Sequence, residues 1–132
     1  MRELKWNQYD FVECLGVLPV ISPYDNSYCF NLKNESLSLE INVIDYFSVI
    51  AIYAFITNSE IPTFSLQFVV RDEVCFVNDK KISYLLFKDC IVISNDFYSV
   101  ESYEEKVFDQ DKFPKYLDFE LYILPKFQLK FS

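Results

Sequence analysis

Histidine is absent from this 132-residue chain. That removes the commonest general base, the commonest metal ligand and the middle member of a nucleophile–His–acid triad. Gly16 is the single glycine, and one glycine cannot build a glycine-rich phosphate loop of either common type. Basic charge is also short: twelve Lys and Arg against twenty Asp and Glu leave a net charge of −8. Nucleic acids and anionic membranes are held through Lys and Arg, so neither is expected as a ligand. No apolar run approaches the ~18 residues of a membrane-spanning helix. The longest, Val49 to Ile56, has the length of a buried strand. Met1–Arg2–Glu3–Leu4–Lys5–Trp6 lacks the apolar centre of a secretory signal, which makes the cytoplasm the expected location.

Cysteine is present but in no reactive pattern. Cys14, Cys29, Cys75 and Cys90 each sit among apolar neighbours and read as small buried hydrophobes. There is no C-x-x-C, and without histidine a structural zinc would need all four thiolates, so neither zinc nor a disulfide is expected. Asp109–Gln110–Asp111 begins like a calcium loop but lacks the glycine and the distal glutamate. No metal or cofactor is therefore expected. Glu104–Glu105 and Asp109 with Asp111 could in principle form the acid and base of a glycosidase. Adjacent acids in an acidic stretch are more often simply solvated, and the chain is not expected to be an enzyme.

What the chain does contain is strand material. Apolar residues make up 52% and aromatics 19%, a composition that suits half-buried strands and argues against disorder. A length of 132 residues fits one domain, 1–132, with a core of its own. Asn7 to Gly16 is the one convincing helix. Asn7 is placed as its N-cap, Asp10 as its first-turn acid, and Trp6 with Phe11 as a hydrophobic staple. Gly16 is placed for a left-handed exit, and Pro19 prevents resumption.

Beyond the helix the period is two. Tyr28, Phe30 and Leu32 alternate with Cys29 and Asn31, then Leu37, Leu39, Ile41 and Val43 alternate with Ser38, Glu40 and Asn42. These two runs predict a hairpin across Lys33–Asn34–Glu35–Ser36. Val49–Thr57 is apolar on both faces and reads as a central strand. Phe64–Val70 follows, and Asp72 and Glu73 interrupt it. Val74–Val77 and Ile82–Phe87 predict a second hairpin, with Cys90–Ile93 resuming after Lys88–Asp89 as a short strand or the far side of a bulge. Leu117–Ile123 reads as a last long strand that bends at Pro125 and continues through Phe127, Leu129 and Phe131. The expected fold is α+β: one N-terminal helix packed on a curved, mostly antiparallel sheet or open barrel of seven to eight strands. A two-sheet sandwich with one helix is the alternative.

One segment has no period. From Asn95 to Phe113, the acids Asp96, Glu101, Glu104, Glu105, Asp109 and Asp111 interleave with Phe97, Tyr98, Tyr103, Phe108 and Phe113. Acids steer an encounter and aromatics supply contact area, so this is the composition of a patch that captures a basic protein. The expected partner-binding residues are Asp96, Glu101, Tyr103, Glu104, Glu105, Phe108, Asp109 and Asp111. The competing reading is a covering loop whose aromatics tuck under the sheet while its acids point to water.

Trp6 with Phe11–Val12–Glu13–Cys14–Leu15–Gly16–Val17–Leu18–Pro19, then Tyr28–x–Phe30 and Leu37–x–Leu39, resemble small bacterial proteins. Some of these are grouped with immunity proteins, the cytoplasmic inhibitors that protect a cell from a polymorphic or contact-delivered toxin. The resemblance covers the first half of the chain and carries no catalytic motif and no binding residues to transfer. It implies a non-enzymatic cytoplasmic immunity protein that neutralises a cognate toxin by direct binding, with a basic toxin domain as the protein partner. An acidic secretion chaperone for an effector is the alternative. A small carbohydrate-active enzyme or binder is weaker, because the lone Trp6 is committed to the staple. The oligomeric state is not legible.

Overall fold

In the computed structural model, which describes residues 3–34, 36–79, 81–93 and 117–132, helix α1 spans Gln8–Leu15. Asn7 caps it, its Oδ1 accepting from the backbone N–H of Tyr9 at 2.9 Å. Gly16 closes it at φ 75°, with its N–H donating to the Val12 carbonyl at 2.8 Å. Trp6 meets Phe11 edge to face with ring centroids 5.1 Å apart, the staple geometry that sets how the chain enters the helix. Because this cap satisfies an otherwise orphaned helix-end donor, Asn7→Ala is expected to cost about 1 kcal/mol of stability. Thermal or urea unfolding of the variant measures it, and no loss would mean that water replaces the side chain fully.

The strands are β1 (Val20–Ile21), β2 (Tyr28–Lys33), β3 (Leu37–Ile44), β4 (Val49–Ile56), β5 (Phe64–Val70), β6 (Val74–Asn78), β7 (Ser83–Ile93), β8 (Leu117–Tyr122) and β9 (Gln128–Phe131). All strand pairings among them are antiparallel, in one unclosed sheet ordered β1-β2-β3-β4-β5-β7-β8-β9, with β6 also on β7. The architecture is α+β, as expected. Among the described residues a single continuous sheet replaces the sandwich alternative, because each ladder passes directly to the next. Among the described residues the sheet has nine strands, against the expected seven to eight. Val20–Ile21 pairs with β2 although it is only two residues long. At the other end, the expected bend at Pro125 is a complete reversal: β9 turns back along β8, with Phe119 opposite Phe131 and Tyr122 opposite Gln128. Alternation continues unchanged through such a turn, so the pattern could not distinguish a bend from a hairpin. The turn contains the cis Leu124–Pro125 bond.

The predicted hairpins form. Phe30 lies opposite Ile41 and Leu32 opposite Leu39 across β2–β3, and Asn34 Oδ1 accepts from the N–H groups of Ser36 and Leu37 in the turn. β6 and β7 pair from Val74–Phe87 to Asn78–Ser83. β4 sits inside the sheet between β3 and β5, as its two apolar faces require. A 3-10 turn over Asp45–Phe47 and a left-handed Ser48 at φ 58° join it to β3.

One face of the sheet carries the main core. Phe11 is fully buried there, its ring 5.3 Å from Phe30 and 6.1 Å from Phe87. Phe87 in turn meets Phe68 at 5.3 Å, and Phe68 meets Phe119 at 4.7 Å. The helix therefore lies against β6 and β7, and its one phenylalanine links an early strand to the later half of the sheet. On the opposite face Val49, Val69 and Ile93 form a small second cluster with Ile44, Phe47 and Ile91.

Candidate interaction surface

The eight residues expected to bind a partner, Asp96, Glu101, Tyr103, Glu104, Glu105, Phe108, Asp109 and Asp111, lie outside the described residues. What the described residues show is how the frame beside that segment is held and what surface it offers.

β5 and β6 lie end to end along the same side of β7. β7's outer part, Cys90–Ile93, pairs with β5, and its inner part, Ser83–Phe87, pairs with β6. Asp72 and Glu73 break one pattern and Lys88 and Asp89 break the other, and the structure brings the two breaks face to face. Arg71 and Lys88 carry the join. Arg71 Nη2 lies 2.7 Å from Asp89 Oδ1, and Lys88 Nζ lies 3.1 Å from Glu73 Oε1. Asp89 takes a left-handed φ of 59°, and its N–H donates to Asp118 Oδ1 of β8 at 2.8 Å. The Arg71 side chain is 2% exposed, so its charge is compensated inside the protein. The sequence signalled the breaks but not the pairing, because ion-pair partners at this distance along the chain leave no periodic trace.

The thiols are set against nucleophilic chemistry. Burial pushes Cys14 up to about 11. Burial, with the Glu40 carboxylate accepting from Sγ, pushes Cys29 up to about 11. Burial raises Cys90 further, and Asp118 and Asp89 add to that. Cys75 is raised by burial and by Glu73. A reactive cysteine needs the opposite, a thiolate favoured by nearby positive charge. Among the described residues no group of three or more His, Cys, Asp or Glu side chains is placed to hold a metal ion. None of the described helices is long and apolar enough to cross a membrane.

These thiols make a pH dependence. Their folded pKa values lie above the unfolded one, so between the two the native state holds protons that the unfolded chain has lost. The stabilisation is complete below the ordinary thiol value of 9.0 and declines as pH rises toward about 11. Tyr122, raised to about 12 by its hydrogen bond to Glu120 and then by burial, extends the decline. Urea midpoints should therefore fall progressively above pH 9.0, and Cys14→Ala should flatten the slope. An unchanged slope in that variant would mean that Cys14 titrates like a free thiol.

Two hollows remain. One, of about 340 Å3, lies between the later turn of α1 and the β6–β7 turn, with Phe76 and Ile123 within it and the exposed Glu13, Asp79 and Lys81 around it. The other, open and of about 370 Å3, is lined by Trp6, Asn7, Gln8, Tyr9 and Tyr28. Trp6 stands edge-on to Tyr28 at 4.8 Å, so the indole serves both the staple and this hollow. Sequence reading assigned Trp6 to the staple alone and missed the second role, which only the pairing of β2 beside α1 creates.

No protein-family model matches the chain, and no curated protein matches it in sequence. In fold it is similar to a chain of the contact-dependent growth inhibition toxin–immunity protein complex from Klebsiella pneumoniae 342. The TM-score is 0.66 at 15% sequence identity, over 100% of this chain and 98% of that one. This protein thus shares its whole fold, end to end, with a component of a toxin–immunity complex.

Proposed function

We propose that this chain is an immunity protein that neutralises a cognate toxin by direct, non-enzymatic binding in the cytoplasm. The observation that carries the reading is the end-to-end likeness to a chain of a toxin–immunity complex. Either component of such a complex could lend its fold, and chemistry favours the inhibitor. A toxin that acts as an enzyme needs reactive groups. Here histidine is absent and the thiols are held protonated. A net charge of −8 suits an inhibitor that meets a basic protein, since opposite charge accelerates encounter and rejects wrong partners.

The test is protection. The C-terminal domain encoded by the reading frame immediately upstream is induced in a bacterial host with and without this chain, and growth is followed. Relief of growth arrest together with a purified complex of the two proteins supports the reading. Arrest that persists with both proteins expressed and folded overturns it, as would an upstream frame belonging to a metabolic operon.

The acids of residues 95–113 are proposed as part of the contact. In that complex, joint charge reversal of Glu104, Glu105, Asp109 and Asp111 is expected to slow association by about tenfold or more at low salt. Stopped-flow kinetics over a salt series reads this. Unchanged rates would remove the segment from the interface.

A further inference from the structure

We infer that the edge of the sheet at β1, together with the outer face of α1, docks an apolar segment of the partner protein that is rimmed by Lys or Arg. The inference rests on the reading that this chain binds a basic protein, and it says where on the described surface that protein sits.

Several large apolar side chains are left in solvent here. Leu18 is 78% exposed, Val20 66%, Ile21 51%, Tyr24 96% and Tyr9 71%. They are close in sequence, and one of them is linked in space to the start of the helix. Ile21 pairs with Tyr28, and Tyr28 shares with Trp6 and Tyr9 the open hollow of about 370 Å3. Ile21 therefore lies beside an aromatic recess at the start of the helix, while Val20, opposite Cys29, is exposed on the other face of the same edge. Apolar surface gathered this way marks an interaction site more often than scattered single residues do. Aromatic side chains beside a recess are also what binding hot spots use.

Charge selects the occupant. From Trp6 to Leu32 the sequence contains no Lys or Arg, and its only charged residues are Asp10, Glu13 and Asp25. Sheet edges that must stay unbound are commonly guarded by Lys; β1 carries none, and on this edge Lys33 stands only at the far end of β2. A second copy of the chain would set those acids against one another, which costs free energy, whereas a basic rim on the partner would match them. Pro19 and Pro23 bracket β1 and limit main-chain pairing along its outer edge. The surface thus offers side chains and a recess, not a template for an added strand.

The experiment uses the full chain and the toxin domain from the upstream reading frame, with affinity measured by titration calorimetry. The Leu18→Ser/Ile21→Ser double variant should bind about tenfold to a hundredfold more weakly, with its urea midpoint close to that of the parent protein. Glu13→Lys, at an exposed helix position, should slow association roughly threefold or more and reduce its salt dependence. Equal affinity of the double variant and the parent would overturn the inference while leaving the immunity reading intact. Failure of the parent chain itself to bind the domain would overturn that reading instead. If light scattering shows the parent to be a dimer that the double variant abolishes, the occupant is a second copy and the inference is wrong.

Discussion

Phe11→Ala is expected to lower the unfolding free energy by about 3–5 kcal/mol, the range for emptying a phenylalanine site in a packed core. Phe11 is fully buried, and its ring touches those of Trp6, Phe30 and Phe87. Trp6 belongs to the helix entry, Phe30 to β2 and Phe87 to β7, so the deletion opens a void where three separate elements meet. Such a site collapses poorly, because each wall is held by its own ladder, and the loss should fall in the upper part of the range. Phe11→Leu keeps most of the volume and should lose clearly less. Urea unfolding with a common slope compares the two. A loss below about 1 kcal/mol for Phe11→Ala would mean that the helix contributes little to the core, contrary to the burial observed.

The second large effect is expected at Arg71. Its guanidinium is almost wholly enclosed and pairs with Asp89 through Nε at 3.1 Å and Nη2 at 2.7 Å. Removing one member of a buried pair typically costs about 3–5 kcal/mol, because the remaining charge keeps its desolvation penalty and loses its compensation. Asp89 retains some contact with solvent, its side chain being 19% exposed, so Arg71→Met should lie near the lower end, about 3 kcal/mol. The double variant Arg71→Met/Asp89→Asn removes both charges. Asn also tolerates the left-handed backbone at position 89. It should therefore lose less than the sum of the two single changes, and a double-mutant cycle on unfolding free energies measures the coupling. Strict additivity would show that the pair is incidental to the join between β5 and β6.

The two effects differ in how far the sequence announced them. The sequence places Phe11 in the staple with Trp6, from its position four residues after the Asn7 cap, and a staple residue packs inward. That inference needs only local rules, since a capped helix with a staple has one orientation for its fourth residue. The alternation in Tyr28–Leu32, Leu37–Val43 and Phe64–Val70 was equally readable, because side chains on a strand must change face at every step. Arg71 was not readable at all. Its partner stands eighteen positions along the chain, and the only trace was a pair of interrupted patterns at 72–73 and 88–89.

The same division runs through the interaction surface. Acidity and the missing histidine are properties of composition, and they point toward protein binding without reference to any fold. The recess shared by Trp6, Tyr9 and Tyr28 is different, because it exists only where β2 lies beside the start of α1. The exposure of Val20 and Ile21 is likewise decided by topology. β1 ends the sheet, so apolar side chains that a middle strand would bury are left facing solvent. A pairing order is set by which long-range contacts bury most apolar surface, and no local pattern encodes that.

By itself, then, the sequence determined the helix with both of its caps, the alternating strands and their α+β class, and the absence of histidine-based and glycine-loop chemistry. These follow from single residues and from periods of two, which act over a few positions. Only the tertiary structure decided that the strands make one continuous sheet, that β9 folds back on β8, that Arg71 meets Asp89 and that β1 stands at an open edge. Each of those depends on residues far apart in the chain coming together, where the free energy is shared among many contacts and is carried by no one segment.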